Sequence, residues 1–142
     1  MADNRPLEPR MLHILGKAVL YALYHLKYPD LTVEISVGGK YKPDLVSVDN
    51  SGQPRFWAES GVVSVRKLTS LIRSSLSTHL VFLRHSLQIE QFCMRVHKEL
   101  KKLPRPRSAP IEIVGRPKDL GPFINEENKL SIRREDCNIE LF

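Results

Sequence analysis

The sequence predicts an α/β fold on a mixed sheet: an αβββαβ core over about 9–85, then an extension over 86–142 that adds a helix and short strands to one domain. Three observations predict it. Apolar residues recur at helical spacing near the start of the chain, at Leu12, Leu15, Val19, Ala22, Leu23 and Leu26. Three stretches of strand character follow, joined by the turn signals Gly38-Gly39 and Asp49-Asn50-Ser51-Gly52. A second helical stripe then separates the third strand from an apolar run at 80–83, and a helical crossover of that kind joins parallel strands.

The elements follow in order. Glu8-Pro9 starts a helix over about 9–27, because proline fits a first helical turn, and Tyr28-Pro29-Asp30 stops it. Leu31, Val33, Ile35 and Val37 alternate with polar residues, so 31–37 reads as a half-buried strand. Two glycines turn it into a second strand at about 40–48, and a third follows at about 54–60. Ser64 is placed to cap a helix over 64–76, with Val65, Leu68, Leu71 and Ile72 inward and Arg66, Lys67 and Arg73 outward. After the strand at 80–83, a helix over 86–103 turns Ile89, Phe92, Cys93, Val96 and Leu100 inward and ends in Lys98, Lys101 and Lys102. Strand character returns at 111–114, then at 130–133 and 139–142.

The chain has 142 residues, 42% hydrophobic and 27% charged, within the ordinary range for a globular domain. No apolar run approaches the roughly 20 residues of a membrane helix. The opening MADNRPLEPRM lacks a signal peptide's pattern, so the expected location is cytoplasmic. Cys93 and Cys137 form no CxxC, and no zinc site is expected. The net charge of +6 permits a nucleic-acid partner. The five histidines are scattered: His13 and His25 on the first helix, His79 and His85 flanking the fourth strand, His97 on a polar helix face. All are read as structural.

The chemistry concentrates in the hairpin 42–61. Its two strands carry one carboxylate each, Asp44 and Glu59. An even-numbered loop centred between Ser51 and Gly52 puts these directly opposite each other, Cβ atoms roughly 4.5–5.5 Å apart. An odd loop, which Pro54 allows, shifts the register by one and separates them. Paired like charges call for neutralisation, and a divalent cation with oxygen ligands suits them. The same even register sets Lys42 opposite Gly61. Trp57 shares the carboxylate face, where an aromatic is more often core than a base-stacking platform. An aspartate after proline is also a common turn residue.

With Pro43-Asp44 on one strand, Glu59-Ser60-Gly61 on the next, and an α-β-β-β-α-β order around them, the chain resembles the PD-(D/E)XK nuclease superfamily, the restriction-endonuclease-like fold. It is more similar still to the YaeQ-like branch, through PDLV at 43–46, WAESG at 57–61 and the following helix with Arg66 and Lys67. The likeness spans about 10–85 in element order and about 43–67 in motif. It implies a metal-dependent nuclease or nuclease-like phosphodiesterase in which Asp44 and Glu59 bind Mg²⁺ or Mn²⁺, joined by a backbone carbonyl beside Glu59. The family's lysine is replaced by Gly61. Lys42 is the first expected substitute, Lys67 or Arg66 the second. A further acid from the first helix would be Glu8. Arg66, Arg73, Lys101, Lys102, Arg105 and Arg107 are the expected contacts to nucleic acid, DNA in the first instance, and relatives of this fold often act as homodimers. Because Gly61 departs from the pattern, the alternative is a catalytically inactive module of the same fold that binds nucleic acid or a protein partner. A structural partner domain without an anionic ligand is the third reading.

Overall fold

The computed structural model describes residues 9–33, 37–38, 41–102, 105–106 and 109–142. Its elements are α1 (Pro9–Tyr24), β1 (Thr32–Val33), β2 (Leu45–Val48), β3 (Pro54–Glu59), α2 (Val65–Ser74), β4 (His79–His85), α3 (Ile89–Lys102), β5 (Ile111–Arg116) and β6 (Asn138–Leu141), with short 3-10 turns between. The strands form one sheet in the order β1-β2-β3-β4-β5-β6. β1, β2 and β3 are antiparallel neighbours, β4 lies parallel to β3 and β5 to β4, and β6 returns antiparallel. The mixed α/β sheet and the parallel crossover through α2 are as the sequence predicts.

Alternating strand residues divide the core into two layers. On one face, Val19, Leu20 and Tyr24 of α1 pack on Leu45, Phe56, Ala58, Val81 and Val114. On the other, Leu68 and Ile72 of α2 and Phe92 and Val96 of α3 pack on Trp57, Leu80, Phe82 and Ile113. Phe56, Leu68, Leu80, Ile113 and Val96 are fully enclosed, so both layers exclude water.

The boundaries differ from expectation in instructive places. α1 ends at Tyr24 and leaves Leu26 exposed, because the buried seam closes on the Tyr24 ring. Of the strand expected at 31–37, Thr32 and Val33 pair with β2; Val33 is exposed, not inward, and 34–36 lie outside the described residues. β2 begins at Leu45 rather than at 40. Residues 130–133 make a single bridge, Leu130 to Ile124, not a strand. α3 is preceded by the 3-10 turn Ser86–Gln88, because His85 Nδ1 accepts the Leu87 N–H and tightens the entry.

The hairpin realises both of its anticipated registers. Its loop is odd: residues 49–53 separate Val48 from its partner Pro54. Arg55 is then an extra, unpaired residue, a β-bulge, and beyond it Ser47 faces Phe56, Val46 faces Trp57 and Leu45 faces Ala58. The bulge cancels the shift made by the loop. Arg55 is held there by Nε donating to Ser47 Oγ at 2.7 Å and a terminal nitrogen donating to Asp30 at 2.6 Å. Asp49 Oδ1 accepts from the Ser51 and Gln53 amides, and Gly52 takes the positive φ (83°) that the turn requires.

Candidate functional site

The restored register carries Asp44 and Glu59 to matching ends of β2 and β3, with the Asp44 N–H donating to the Ala58 carbonyl. Glu59 is buried, with only 5% of its side chain exposed. Its Oε1 accepts from Trp57 Nε1 at 2.9 Å and from Lys67 Nζ at 2.7 Å. Lys67 arrives from the first turn of α2, where Ser64 caps the helix by accepting the Lys67 N–H. Burial pushes the Glu59 carboxyl above its ordinary value, and the Asp44 charge adds to this; the Lys67 and Trp57 hydrogen bonds offset only part.

Asp44 is anchored differently. Its Oδ2 accepts the Ser60 N–H at 2.8 Å and the Ser60 hydroxyl at 3.3 Å. Its Oδ1 lies 3.6 Å from His13 Nε2, while His13 Nδ1 is 3.2 Å from Ser60 Oγ. Asp44, Ser60 and His13 therefore close a triangle. It is not a nucleophilic triad, because the serine hydroxyl has the aspartate itself as an acceptor rather than the imidazole alone.

Two glycines explain why His13 is there. Gly16 lies one turn along α1, and a Cβ on it would meet Ser60 Cβ at 3.1 Å and Leu83 at 3.2 Å. The bare backbone lets α1 approach β3 closely. A Cβ on Gly61 would lie 3.3 Å from His13 Nδ1. The imidazole thus covers the position where the resemblance expects a lysine.

Each carboxylate keeps one oxygen outside these hydrogen bonds. Asp44 Oδ1 and Glu59 Oε2 make no hydrogen bond among the described residues. No group of three or more His, Cys, Asp or Glu side chains gathers as a metal cage among them. Two carboxylates with water completing the shell is the way Mg²⁺ is commonly held, whereas a structural zinc site needs four protein ligands.

The architecture is similar to that of a YaeQ protein. The crystal structure of the YaeQ protein from Xanthomonas axonopodis pv. citri aligns over 80% of this chain, with a TM-score of 0.44 and 15% sequence identity. The match covers 60% of that chain, so the present sequence spans about three-fifths of its length. No family model matches the sequence, and no curated protein does.

Of the residues the sequence singles out, Asp44, Glu59 and Lys67 come together. Lys42 does not join them: the β2–β3 ladder stops before it, it is exposed, and it makes no ion pair with either carboxylate among the described residues. Glu8 and Arg107 lie outside the described residues. Arg105 serves the fold, donating to the carbonyls of Ile72 at 2.9 Å, Thr78 at 2.6 Å and Ala109 at 3.3 Å, which leaves little of it for a nucleic acid. Arg73 and Lys102 flank buried Glu99 at 3.8 and 3.9 Å, while Arg66 and Lys101 are exposed. Trp57 is a core residue that also orients Glu59. Sequence reasoning missed His13 and Ser60. The available signal was the pair Gly16 and Gly61, where missing side chains leave space for a third.

Proposed function

We propose that the chain is a divalent-metal-dependent nuclease or nuclease-like phosphodiesterase acting on nucleic acid through Asp44 and Glu59. The observation that carries this reading is the placement of Lys67 Nζ 2.7 Å from Glu59, a second route to the cation that Gly61 removes. Membership of the PD-(D/E)XK superfamily, with the YaeQ-like branch as the nearer resemblance, is part of the same proposal.

In this reading Asp44 and Glu59 would hold Mg²⁺ or Mn²⁺. When bound, the cation supplies Lewis-acid polarisation of a phosphodiester oxygen and a more acidic water. The chain's own residues supply the rest. Lys67 stabilises the negative charge that develops on the phosphoryl oxygens, a contribution that is commonly the largest. Trp57 fixes the Glu59 rotamer, and Ser60 fixes Asp44. His13, on the open side of Asp44, is placed to exchange a proton with the attacking water or the leaving oxygen. Arg66 and Lys101, both exposed, are left to contact backbone phosphates, which makes binding salt-dependent.

A second reading, an inactive binding module, is favoured by the engagement of Glu59 Oε1 with both Trp57 and Lys67. Calorimetric titration with Mn²⁺ on wild type and Asp44→Ala, followed by cleavage of mixed DNA substrates in the same buffer, separates the two. The nuclease reading expects Mn²⁺ binding that the variant loses, together with metal-dependent cleavage by the wild type. A wild type that binds no Mn²⁺ leaves the inactive module. With cleavage in hand, Lys67→Ala is expected to lose roughly 100-fold or more, and Lys42→Ala to stay within about two-fold.

A further inference from the structure

Beside the carboxylate pair, at the carboxyl ends of parallel strands β3, β4 and β5, lies a cavity of about 460 Å³, a volume usual for a small-molecule site. In open α/β sheets this end is where ligands commonly bind. The cavity opens on the α1 face of the sheet. Leu12 and His13 reach it from α1, and Leu83 belongs to the core layer that α1 covers. His85 follows Leu83 by two residues on β4 and shares its face, and Arg116 of β5 is the register partner of His85. Ser60 and Val62 border the cavity from the loop after β3. Arg84 borders it too, but its guanidinium turns to the other face of the sheet, over the Phe92 ring at 4.9 Å.

The lining combines apolar walls with hydrogen-bond donors. Leu12, Leu83 and Val62 supply the apolar part, and Val62 is 91% exposed. Arg116 is half-buried and burial lowers its pKa, yet it makes no ion pair among the described residues. One terminal nitrogen donates to the Pro117 carbonyl at 3.1 Å, which leaves Nε and the other terminal nitrogen as a parallel pair of donors. His85 Nδ1 accepts the Leu87 N–H, so its ring proton resides on Nε2 as a further donor. Burial lowers the His85 pKa, and the charges of Arg116 and Lys118 lower it further, which keeps that ring neutral at pH 7. No lining residue is acidic. A half-buried guanidinium without an anion calls for acceptors. Set beside apolar walls and a neutral imidazole, it suits an uncharged ring with acceptors on its edge better than it suits a phosphate.

We propose that this cavity binds an unpaired guanine base, read by Arg116. Guanine presents two adjacent acceptors, O6 and N7, which a guanidinium meets with two parallel donors. Adenine sets an amino donor beside N7, cytosine offers an amino donor, and thymine sets a methyl group beside O4. Contact of the ring with Leu12, Leu83 and Val62 requires a base that is out of its stack, so the ligand is a single strand or a free nucleotide. His13 and Ser60 line the cavity and also contact Asp44. The base held here therefore belongs to the nucleotide beside the linkage that Asp44 and Glu59 cut. That placement rests on the nuclease reading of those carboxylates. The recognition of guanine by Arg116 does not.

The test titrates the full-length wild type calorimetrically, without added metal, with the 5′-monophosphates of guanosine, adenosine, cytidine and uridine. These have no internal linkage to be cut. Guanosine monophosphate is expected to bind roughly ten-fold tighter than the other three. Inosine monophosphate, which keeps O6 and N7, should match it, and the 7-deaza analogue of guanosine monophosphate should lose the advantage. Arg116→Lys keeps the charge but not the paired donors, so it should abolish the preference. The analogues are compared on the wild type, so that arm does not depend on a variant folding. Equal binding of the four nucleotides, a preference that survives Arg116→Lys, or a 7-deaza analogue as tight as its parent overturns the proposal. Ribose 5-phosphate bound as tightly as guanosine monophosphate reveals an anion site and overturns it as well. Failure of the nuclease reading looks different: no Mn²⁺ binding or cleavage, with the guanine preference intact. Metal-dependent cleavage without any guanine preference in binding removes the cavity proposal alone.

Discussion

Two buried glutamates lie at opposite ends of the sheet and meet opposite fates. Glu112, near the start of β5, has 7% of its side chain exposed, and Glu59, at the end of β3, has 5%. Glu112 Oε1 lies 2.7 Å from His79 Nε2, Tyr28 OH lies 2.9 Å from the other ring nitrogen, and Arg134 donates to Oε2 at 2.5 Å. Burial alone would push Glu112 up, yet the His79 and Arg134 hydrogen bonds and the Arg134 charge together outweigh it and hold the carboxyl at about 2. Glu59 has partners on one oxygen only and is pushed up instead. The same burial is over-compensated at one end and under-compensated at the other. A carboxylate held with its charge incompletely satisfied is the condition that a cation relieves, and such groups cluster at functional sites.

The largest expected effect breaks this contrast directly. Glu112→Gln leaves Arg134 without its anion and His79, which is buried, without a charged acceptor. It is expected to cost about 3 kcal/mol of unfolding free energy. Glu59→Gln keeps an acceptor for Trp57 and removes a charge already disfavoured by burial, and Lys67, 20% exposed, can turn to water. It should stay within about 1 kcal/mol of wild type. If the proposed nuclease reading holds, activity reverses the order: the second variant is expected to lose cleavage and the first to keep it. Urea denaturation of both proteins checks the stability order, and equal losses would remove the distinction between the two ends.

Acid sharpens the same comparison. The folded-state value of Glu112, about 2, lies below its ordinary 4.5, so between these values the unfolded chain binds the extra proton. The stabilisation is complete above 4.5 and is lost as pH falls towards 2. Over the range from 4.5 to about 3 the loss amounts to about 2 kcal/mol. Glu59 has the opposite sign, because its raised value means that the folded state takes the proton first and is relieved by it. Unfolding followed from pH 6 downward should therefore show a slope that flattens in Glu112→Gln, with Asp30 and Asp49, also held below their ordinary values, keeping part of it, and that steepens in Glu59→Gln.

The hairpin was legible because its information is local. Asp49, Asn50, Ser51 and Gly52 mark the turn, and an even loop centred between Ser51 and Gly52 sets the expected register that faces Asp44 towards Glu59; the loop is odd, and the bulge restores that register. The bulge at Arg55 was not legible, since it depends on Asp30, 25 residues earlier, accepting the guanidinium. Lys67 was readable from its place after a Ser64 cap. Lys42 was set opposite Gly61 by extending the hairpin register, whereas β2 begins only at Leu45, and nothing local shows where pairing stops. His13 was read as structural because its partners Asp44 and Ser60 are distant in sequence. A glycine within a helical stripe, Gly16, is a packing signal, but only the packed structure says against what. The Glu112 centre is equally non-local, joining α1, β4, β5 and the turn at Arg134.

The smallest effect separates the two ends along one helix. His13 and Tyr24 lie about 16 Å apart on α1, one at each centre. Gly16→Ala adds a methyl 3.1 Å from Ser60 Cβ and 3.2 Å from Leu83, so the N-terminal half of the helix must shift by a few tenths of an ångström. Alanine also favours the helix by roughly 1 kcal/mol, so the crowding and the propensity nearly cancel in stability. The geometry does not cancel. The shift carries His13 away from Ser60 and Asp44, while Tyr24, two turns further on, stays on Phe56 and His79. Nitrogen-15 spectra of the imidazoles should show the His13 resonances moving and those of His79 unchanged at an almost unchanged Tm, and, on the proposed nuclease reading, cleavage reduced several-fold. Equal movement of both histidines would mean that α1 responds as one rigid unit, and that the two centres are mechanically coupled despite their opposite electrostatics.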